Sequence, residues 1–298
     1  MSQQELPDDD YGISSDVESV SKPFHNKSGA LCQRLPIERV LETQDEARDH
    51  LKDLLIDLVK EVSANSGSCD FILGPNKDYN VAKNKANRDY NGDMARVTDF
   101  VRAKIVVTSP EQIEDIKKLM SGKPTQSEQQ RSRHLRAVDT DTPQRRPAFM
   151  QKHNSHVARA TDFFEDPKDF TGYRCLNYKL AIPVGVEEHR EEEFQVVELQ
   201  IVAEQIEDVY DQTHPYKRAA EAILDKDDLD AVDRRSAAYN FAACRYYNGL
   251  AARDAGYDKL LKPELRSKVA LTRNREIKLR GMIDELDIMS DEDGLENN

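Results

Sequence analysis

The segment Val197-Glu198-Leu199-Gln200-Ile201 decides the predicted fold, because its polar and apolar residues alternate. A period of two is typical of a β-strand, and it would place Glu198 and Gln200 on one face of a sheet. A second acid, Asp99, stands shortly before the apolar run Ile105-Val106-Val107, which predicts another strand. We therefore expect two carboxylates on neighbouring strands of one sheet, an arrangement that can share a divalent cation.

The alternation taken alone also fits an ordinary amphipathic strand whose glutamate faces solvent, so its neighbours decide the interpretation. The stretch from Gly74 to Arg102 reads GPNKDYNVAKNKANRDYNGDMARVTDFVR and surrounds Asp99 with basic residues. These are Lys77, Lys83, Lys85, Arg88, Arg96 and Arg102. Phosphoryl-transfer sites combine magnesium with such cations, because both neutralise the charge that spreads over phosphate oxygens in the transition state.

Composition limits the classes of function. The 298 residues carry a net charge of -13, which argues against broad electrostatic binding of DNA or of an anionic membrane surface. The four cysteines form no CxxC pair and no ligand cluster with histidine, so the sequence predicts neither a zinc site nor a disulfide framework. No apolar run approaches the roughly 20 residues of a membrane span. We expect a cytoplasmic protein that contacts neither membrane nor DNA.

Composition also divides the chain. Residues 1–30 predict a disordered acidic arm, since six acids precede the first basic residue, Lys22. Residues 31–225 predict the main folded domain, 226–289 a helical C-terminal extension, and 290–298 an acidic tail. Within the main domain, residues 121–150 predict a flexible basic loop whose arginines are Arg131, Arg133, Arg136, Arg145 and Arg146. This loop is either a solvated linker or an arm that grips polyanionic phosphate.

Three further segments complete an ordered set of motifs: DFFEDPKDFTGYRCLNYKL, then VVELQI, then THPYKRA. Together with the lysine-bearing segment, they resemble the synthetase domain of the RelA/SpoT family of alarmone, or (p)ppGpp, synthetases. The family pattern runs from a lysine loop and an aspartate-led strand to a D-Y-x-x-x-P-K-x-x-G-Y loop, an E-x-Q-I strand and an H-x-x-Y-K helix. The resemblance covers Asp70 to Lys217 and implies that residues 31–225 form a RelA/SpoT-like synthetase domain.

The resemblance implies an α+β fold, a nucleotidyltransferase-like mixed β-sheet flanked by helices, followed by the helical extension. That extension would either pack on the sheet or mediate contact with a second copy or a regulatory partner. The implied catalytic residues are Glu198 and Asp99, which would hold Mg²⁺, with Glu198 also a candidate general base. The implied ATP-binding residues are Lys77, Lys85 and Arg102, and the implied acceptor-binding residues are Tyr173, Gln200, His214 and Lys217.

The activity implied is transfer of pyrophosphate from ATP to the ribose 3'-hydroxyl of a nucleotide, with GDP or GTP as the expected acceptor. A small, single-activity synthetase is expected. Two alternatives stay open: a toxin-type pyrophosphokinase that acts on adenine nucleotides or the 3' end of tRNA, and a catalytically silent nucleotide-binding regulatory protein. The chain departs from the family at Lys104, where an arginine is usual, and at Asn177, where a histidine is usual.

Overall fold

A single five-stranded β-sheet organises the computed structural model, which describes residues 24, 30–121, 147–168, 170–185, 193–224, 226 and 228–295. The strands, in the spatial order β1-β2-β5-β4-β3, are β1 (Asp70–Leu73), β2 (Arg102–Val107), β3 (His156–Asp162), β4 (Leu176–Val184) and β5 (Glu193–Ala203). The helices are α1 (Ile37–Glu42), α2 (Gln44–Ser66), α3 (Tyr79–Asp89), α4 (Pro110–Ser121), α5 (Ala148–Lys152), α6 (Glu204–Asp208), α7 (Tyr210–Leu224), α8 (Ala231–Asp254), α9 (Arg266–Val269) and α10 (Arg273–Leu295). Short 3-10 helices span Met94–Arg96 and Tyr257–Leu260.

The sheet is mixed, because β2 and β5 run parallel while the other neighbouring pairs run antiparallel. Glu198 of β5 lies opposite Arg102 of β2 and Lys179 of β4. Gln200 lies opposite Lys104 and Asn177. Since paired residues share a face, these six side chains form one polar face. The strand predicted around Glu198 and the predicted α+β class, a mixed sheet flanked by helices, are both confirmed.

The opposite face of the sheet forms the main hydrophobic core. Residues such as Ile105, Leu199 and Ile201 point to this side and are fully buried. Helix α2 covers them with a stripe at helical spacing, Leu51, Leu54, Leu55, Leu58 and Val62, all fully buried in the same core. Apolar side chains at spacings of three, four and seven lie on one side of a helix, so this stripe fixes how α2 sits on the sheet.

The polar face is limited to the middle of the sheet. One step beyond Lys179 and Glu198 along the strands, the same face carries Ala181 and Val196, which pack with Phe24 and Leu31. Gln33 also closes this end, since its side-chain amide donates to the carbonyl oxygen of Val196 at 2.7 Å and accepts from its N–H at 2.8 Å. Because these residues cover that end of the face, its charged side chains are concentrated around Glu198.

The C-terminal helices pack against the main core. Ala252, near the end of α8, and Tyr257 belong to the same buried cluster as the sheet residues. The Tyr257 ring stacks on Phe164, with 5.4 Å between ring centroids. Of the alternatives that the sequence left open, contact with the sheet core is therefore realised, and α10 continues to Leu295, inside the segment predicted as a tail.

Several predicted segments lie largely outside the described residues. These are the acidic arm, apart from Phe24 and Ala30, residues 122–146 of the basic loop with its five arginines, and residues 296–298 of the tail. Within the described ranges, none of the helices combines the length and the hydropathy that a membrane span requires.

Candidate active site

Asp99 lies at the entrance to β2 and is the centre of a compact cluster of charges. The sequence suggested an aspartate at the head of the strand, whereas β2 begins at Arg102 and Asp99 lies in the irregular segment before it. Asp99 is 5% exposed, and its Oδ2 accepts from Lys77 Nζ at 2.5 Å and from Lys85 Nζ at 2.9 Å. Its Oδ1 is buried and has no hydrogen-bond partner among the described residues.

Local structure explains why both lysines reach the same oxygen. Helix α3 starts after Asp78, whose side chain accepts from the Val81 N–H at 3.0 Å and so caps the helix. Lys77 directly precedes this cap, and its backbone N–H donates to the Phe100 carbonyl at 2.9 Å, which holds the loop beside Asp99. Lys85 projects from the body of the helix, so a loop and a helix converge on one carboxylate.

Electrostatics keep Asp99 ionised. Burial opposes its ionisation, but Lys85 and Lys77 outweigh that effect and hold the pKa of Asp99 well below its usual range. Burial in turn lowers the pKa of Lys77, although Asp99 opposes the shift. For Lys85, burial is outweighed by Asp99, and its pKa is raised. The cluster therefore contains a permanent carboxylate between two cations.

Glu198 carries its own set of partners on the polar face. Its Oε1 accepts from Asn177 Nδ2 at 2.9 Å and from Gln200 Nε2 at 3.3 Å, and it lies 3.2 Å from Lys179 Nζ. Burial raises the pKa of Glu198 and nearby Asp99 does the same, yet Lys179 and the two amide donors outweigh them and lower it. Glu198 is thus ionised, and β4 fixes its orientation.

The two acids belong to one electrostatic unit. Each raises the pKa of Lys85, so the Lys85 ammonium lies within the field of both carboxylates. The donor set fits Mg²⁺, which in nucleotide sites takes one or two carboxylates and leaves its other positions to phosphate and water. The unpartnered, buried Oδ1 of Asp99 and the carboxylate of Glu198 are the oxygens that would hold it. Within the described residues, no cluster of three or more acids, histidines and cysteines offers an all-protein metal cage.

Arg102 adds a third positive charge near the two lysines of the Asp99 cluster. It is exposed, lies opposite Glu198 in the register, and lowers the pKa of Lys77 by its charge. Its side chain runs across Gly74, where a Cβ would come within 2.8 Å of Arg102 Cγ. The absence of a side chain at Gly74 therefore makes room for the arginine.

Tyr173 lies in the loop between β3 and β4, and α8 supports that loop. The side chain of Asn248 donates to the Thr171 carbonyl at 3.1 Å, and Arg245 Nε donates to the Phe170 carbonyl at 3.1 Å. Gly172 has a φ of +63°, a left-handed conformation that favours glycine in this turn. Burial raises the pKa of Tyr173 well above its usual range, and the charge of Glu198 contributes to the same shift. The Tyr173 side chain is mostly buried and packs against the main hydrophobic core.

The remaining predicted acceptor residues divide into two groups. Gln200 lies within the cluster and donates to Glu198, so it orients the acid directly. His214 lies on α7, and its ring stacks on the Tyr210 ring with 4.9 Å between centroids. Lys104 Nζ lies 5.2 Å from the centroid of the same Tyr210 ring. Lys217 is exposed and pairs with Glu221 at 3.4 Å. None of the contacts in the described part of the chain joins Lys217 to the acids, and all of these acceptor roles stay predictions.

Sequence reasoning missed Lys179 as a member of the site. Its charge is the largest influence that lowers the pKa of Glu198. The signal was the alternation of Asn177 and Lys179 in the strand that follows the Gly-Tyr turn, but only the register shows that both lie beside Glu198 and Gln200. Asn177, noted from the sequence as a departure from the family's histidine, is one of the donors to Glu198.

Comparison with known proteins finds similarity among solved structures. No protein-family model and no curated protein matches the chain. Small alarmone synthetase 2 from Bacillus subtilis is 14% identical, with a TM-score of 0.44 over 74% of this chain and 97% of that one. A GTP pyrophosphokinase family protein from Streptococcus pneumoniae is 15% identical, with a TM-score of 0.43 over 76% of this chain and 98% of the other. The type VI effector Tas1, solved with its immunity protein, is 16% identical, with a TM-score of 0.36 over 72% and 99%. Small alarmone synthetases, the family that the sequence motifs resemble, are thus among the solved structures that this chain matches.

Proposed function

We propose that this protein transfers pyrophosphate from ATP to the ribose 3'-hydroxyl of a guanine nucleotide, GDP or GTP, with Mg²⁺ as cofactor. The observation that carries the proposal is the Asp99 cluster. One oxygen of this buried carboxylate accepts from two lysines while the other has no partner among the described residues. Glu198 lies in the same electrostatic unit. Such a set serves a metal-bound polyphosphate, because carboxylates hold the cation while lysines meet phosphate oxygens.

The cationic residues would hold the triphosphate of ATP. Lys77 and Lys85 both pair with Oδ2 of Asp99. Arg102 is exposed and lies opposite Glu198, and its guanidinium can donate two hydrogen bonds to a phosphate. Bound phosphate would take over part of the role that Asp99 has now, as the anion that the lysines neutralise. In the reaction, the acceptor's 3'-hydroxyl loses its proton to solvent as its oxygen forms a bond to the β-phosphorus. The bond between that phosphorus and the α–β bridging oxygen breaks, and AMP leaves with that oxygen.

Magnesium, when bound, supplies charge that stabilises the transferred group as negative charge spreads over its oxygens. Asp99 Oδ1 and Glu198 would be its protein ligands. The lowered pKa of Glu198 favours this role over that of general base, since a carboxylate that resists protonation is a weak base. Asn177, Gln200 and Lys179 would keep its carboxylate oriented and ionised.

Tyr173 would stack on the base of the acceptor. Stacking of a base on an aromatic ring contributes ~1–3 kcal/mol and tolerates every base, so this contact alone does not select guanine. The loop of Tyr173 is anchored to α8 through Asn248 and Arg245, which would hold the ring in place before the acceptor binds.

The test is a transfer assay with γ-labelled ATP, Mg²⁺ and one acceptor at a time: GDP, GTP, AMP, ADP, ATP or bulk tRNA. We expect label to pass to GDP or GTP, with AMP released in equal amount. Glu198→Gln should lower the rate at least ~100-fold while ATP binding is largely kept, since the change removes a ligand charge needed in the transition state. Glu61→Gln, the same substitution at an exposed position on α2, is the matched control.

The acceptor that receives the label distinguishes the proposed activity from its alternatives. Label on an adenine nucleotide or on tRNA would indicate the toxin-type activity, and the guanine acceptor would be wrong. Binding of ATP without transfer to any acceptor would indicate a nucleotide-binding regulatory protein. Equal rates for Glu198→Gln and Glu61→Gln would remove Glu198 from the mechanism.

A further inference from the structure

A cavity of about 700 Å³ lies between α8 and α10, beside the loop that carries Tyr173. This volume falls within the roughly 300–1,000 Å³ of typical small-molecule sites. Arg245, which anchors the Tyr173 loop, lines the cavity, but none of the predicted catalytic, ATP-binding or acceptor-binding residues does. The cavity is therefore distinct from the proposed active site, and the kind of ligand it would bind can be inferred without relying on the proposed function.

Positive charge dominates the lining. Four basic residues line the cavity, and none of its lining residues in the described part of the chain is acidic: the four are Arg234, Arg245, Arg275 and Lys278. The whole chain has 56 acidic and 43 basic residues, so a lining of this kind runs against the overall balance. A local excess of positive charge in a concave surface attracts anions and raises their local concentration.

Two helical stripes build the basic lining. On α8, Arg234, Phe241 and Arg245 are separated by seven and four residues, which places them along one side of the helix. On α10, Arg275 and Lys278 are three residues apart and share a side in the same way. The two stripes meet across the cavity, so its charge is supplied by two rigid elements.

The basic groups are partly oriented. Arg234 Nη2 donates to the Leu229 carbonyl at 3.2 Å, and Arg245 Nε donates to the Phe170 carbonyl at 3.1 Å. A guanidinium carries five N–H donors in a fixed plane, so the bond to the Leu229 carbonyl orients the exposed Arg234 without using all of its donors. Arginine presented in this way can bind a phosphate through two parallel hydrogen bonds.

Two aromatic rings also line the cavity, next to its basic residues. The rings of Phe170 and Phe241 are 5.4 Å apart at an interplanar angle of 34°, and both line the cavity. Phe170 is 61% exposed, which is unusual for a large aromatic side chain unless something covers it. A flat apolar group placed against this ring would remove that surface from water.

We propose that this cavity binds an organic phosphate with a flat apolar body. The ring of the ligand would lie against Phe170 and Phe241, and its phosphate would meet the arginines and Lys278. The basic residues alone would hold a simple anion weakly, and the two rings alone would hold a neutral aromatic compound weakly. We therefore expect tight binding to need both the phosphate and the flat apolar part of the ligand.

The test uses 1-naphthyl phosphate, which combines a flat ring with a phosphate, and follows its fluorescence on titration with the full-length chain. We expect one equivalent to bind. The neutral analogue 1-naphthol and inorganic phosphate should each bind at least about 10-fold more weakly. Arg234→Glu combined with Lys278→Glu should weaken binding of the naphthyl phosphate at least about 10-fold, because it replaces two exposed cations with acids. Lys268→Glu combined with Arg273→Glu makes the same change of charge at exposed positions outside the cavity and should leave binding in place.

Tyr173→Ala separates this site from the proposed active site. If the probe loses affinity in Tyr173→Ala and keeps it in the cavity variant, it binds at the sheet face, and the proposal is wrong. Equal loss in the cavity and control pairs would show attraction by net charge only, and would also overturn it. Because the readout is binding, the cavity can be verified or rejected whether or not pyrophosphate transfer is found.

Discussion

The guanidinium of Arg174 lies 2.7 Å from a carboxylate oxygen of Asp258, and this ion pair joins the loop of Tyr173 to the 3-10 helix that follows α8. Arg174 is only 1% exposed, and its Nε and Nη1 have no hydrogen-bond partner among the described residues. Burial lowers the pKa of Arg174, and Asp258 opposes that shift. A buried charge therefore depends on one acid contributed by the C-terminal region.

Removing that acid should destabilise the fold. Asp258→Ala leaves the Arg174 charge buried without its counter-charge, which we expect to cost about 3 kcal/mol in the free energy of unfolding. It should also raise the KM for the acceptor, since Arg174 adjoins Tyr173. The measurements are urea denaturation and steady-state kinetics.

Lys259→Ala is the control for this change, because Lys259 is the next residue and forms an exposed pair with Glu111 at 2.8 Å. Exposed pairs contribute roughly 0–1 kcal/mol. If the two variants lose the same stability, the buried pair has no special role in holding the loop.

Gly74→Ala should weaken ATP binding without unfolding the protein. A Cβ at this position would lie within 2.8 Å of Arg102 Cγ and 3.3 Å of the Arg102 carbonyl oxygen, so the side chain of Arg102 must move. If Arg102 holds a phosphate of ATP, we expect the KM for ATP to rise at least ~10-fold, the equivalent of one lost charge-assisted hydrogen bond. Gly281→Ala is the matched control, because a Cβ there meets nothing within 4 Å. An unchanged KM in Gly74→Ala would place Arg102 outside the ATP site.

Lys77 and Lys83 test whether basic residues act by position or by number. Both belong to the segment that the sequence assigned to phosphate, yet Lys77 donates to Asp99 whereas Lys83 is exposed on α3. Lys77→Met should lower kcat/KM at least ~100-fold, since it removes a charge that would meet the transferring phosphates. Lys83→Met should change it less than ~3-fold. The protein should remain folded in both variants, because Lys85 still pairs with Asp99. Equal losses would mean that only the net charge of the segment matters.

Sequence periodicity predicted the parts of the site that depend on local order. Alternation placed Glu198 and Gln200 on one face of a strand, and the register of β5 confirms it. The loop and helix lysines near Asp99 were also recognisable, because they lie within one short segment of chain.

Contacts between distant segments could not be predicted in this way. Lys179 reaches Glu198 only through the pairing of β4 with β5, and a register that differed by one residue would turn it to the other face. Arg174 and Asp258 are far apart in sequence, and neither residue type predicts its partner. The cavity between α8 and α10 depends on how two helices pack, which helical periodicity leaves undetermined.

His214 offers a test of the charges around the predicted acceptor side. Burial lowers the pKa of His214, and the charges of Arg218 and Lys217 add to the shift. Arg218→Gln should therefore raise the pKa of His214 towards the ordinary value of about 6.5. The measurement is an NMR titration of the imidazole proton signals, with Arg273→Gln as the control for loss of an exposed arginine elsewhere.

The sign of the effect on stability follows from the same shift. Because the pKa of His214 is lower in the folded chain than in the unfolded chain, the unfolded chain binds more protons in this range. The folded state should therefore lose stability as the pH falls from about 6.5 through the folded pKa, and His214→Gln should lose less over that interval. Urea denaturation at pH 7 and pH 5 measures the difference. If the stability change is identical in the parent and in His214→Gln, the pKa of His214 is not lowered in the folded chain, and the influence of burial, Arg218 and Lys217 on this ring would be wrong.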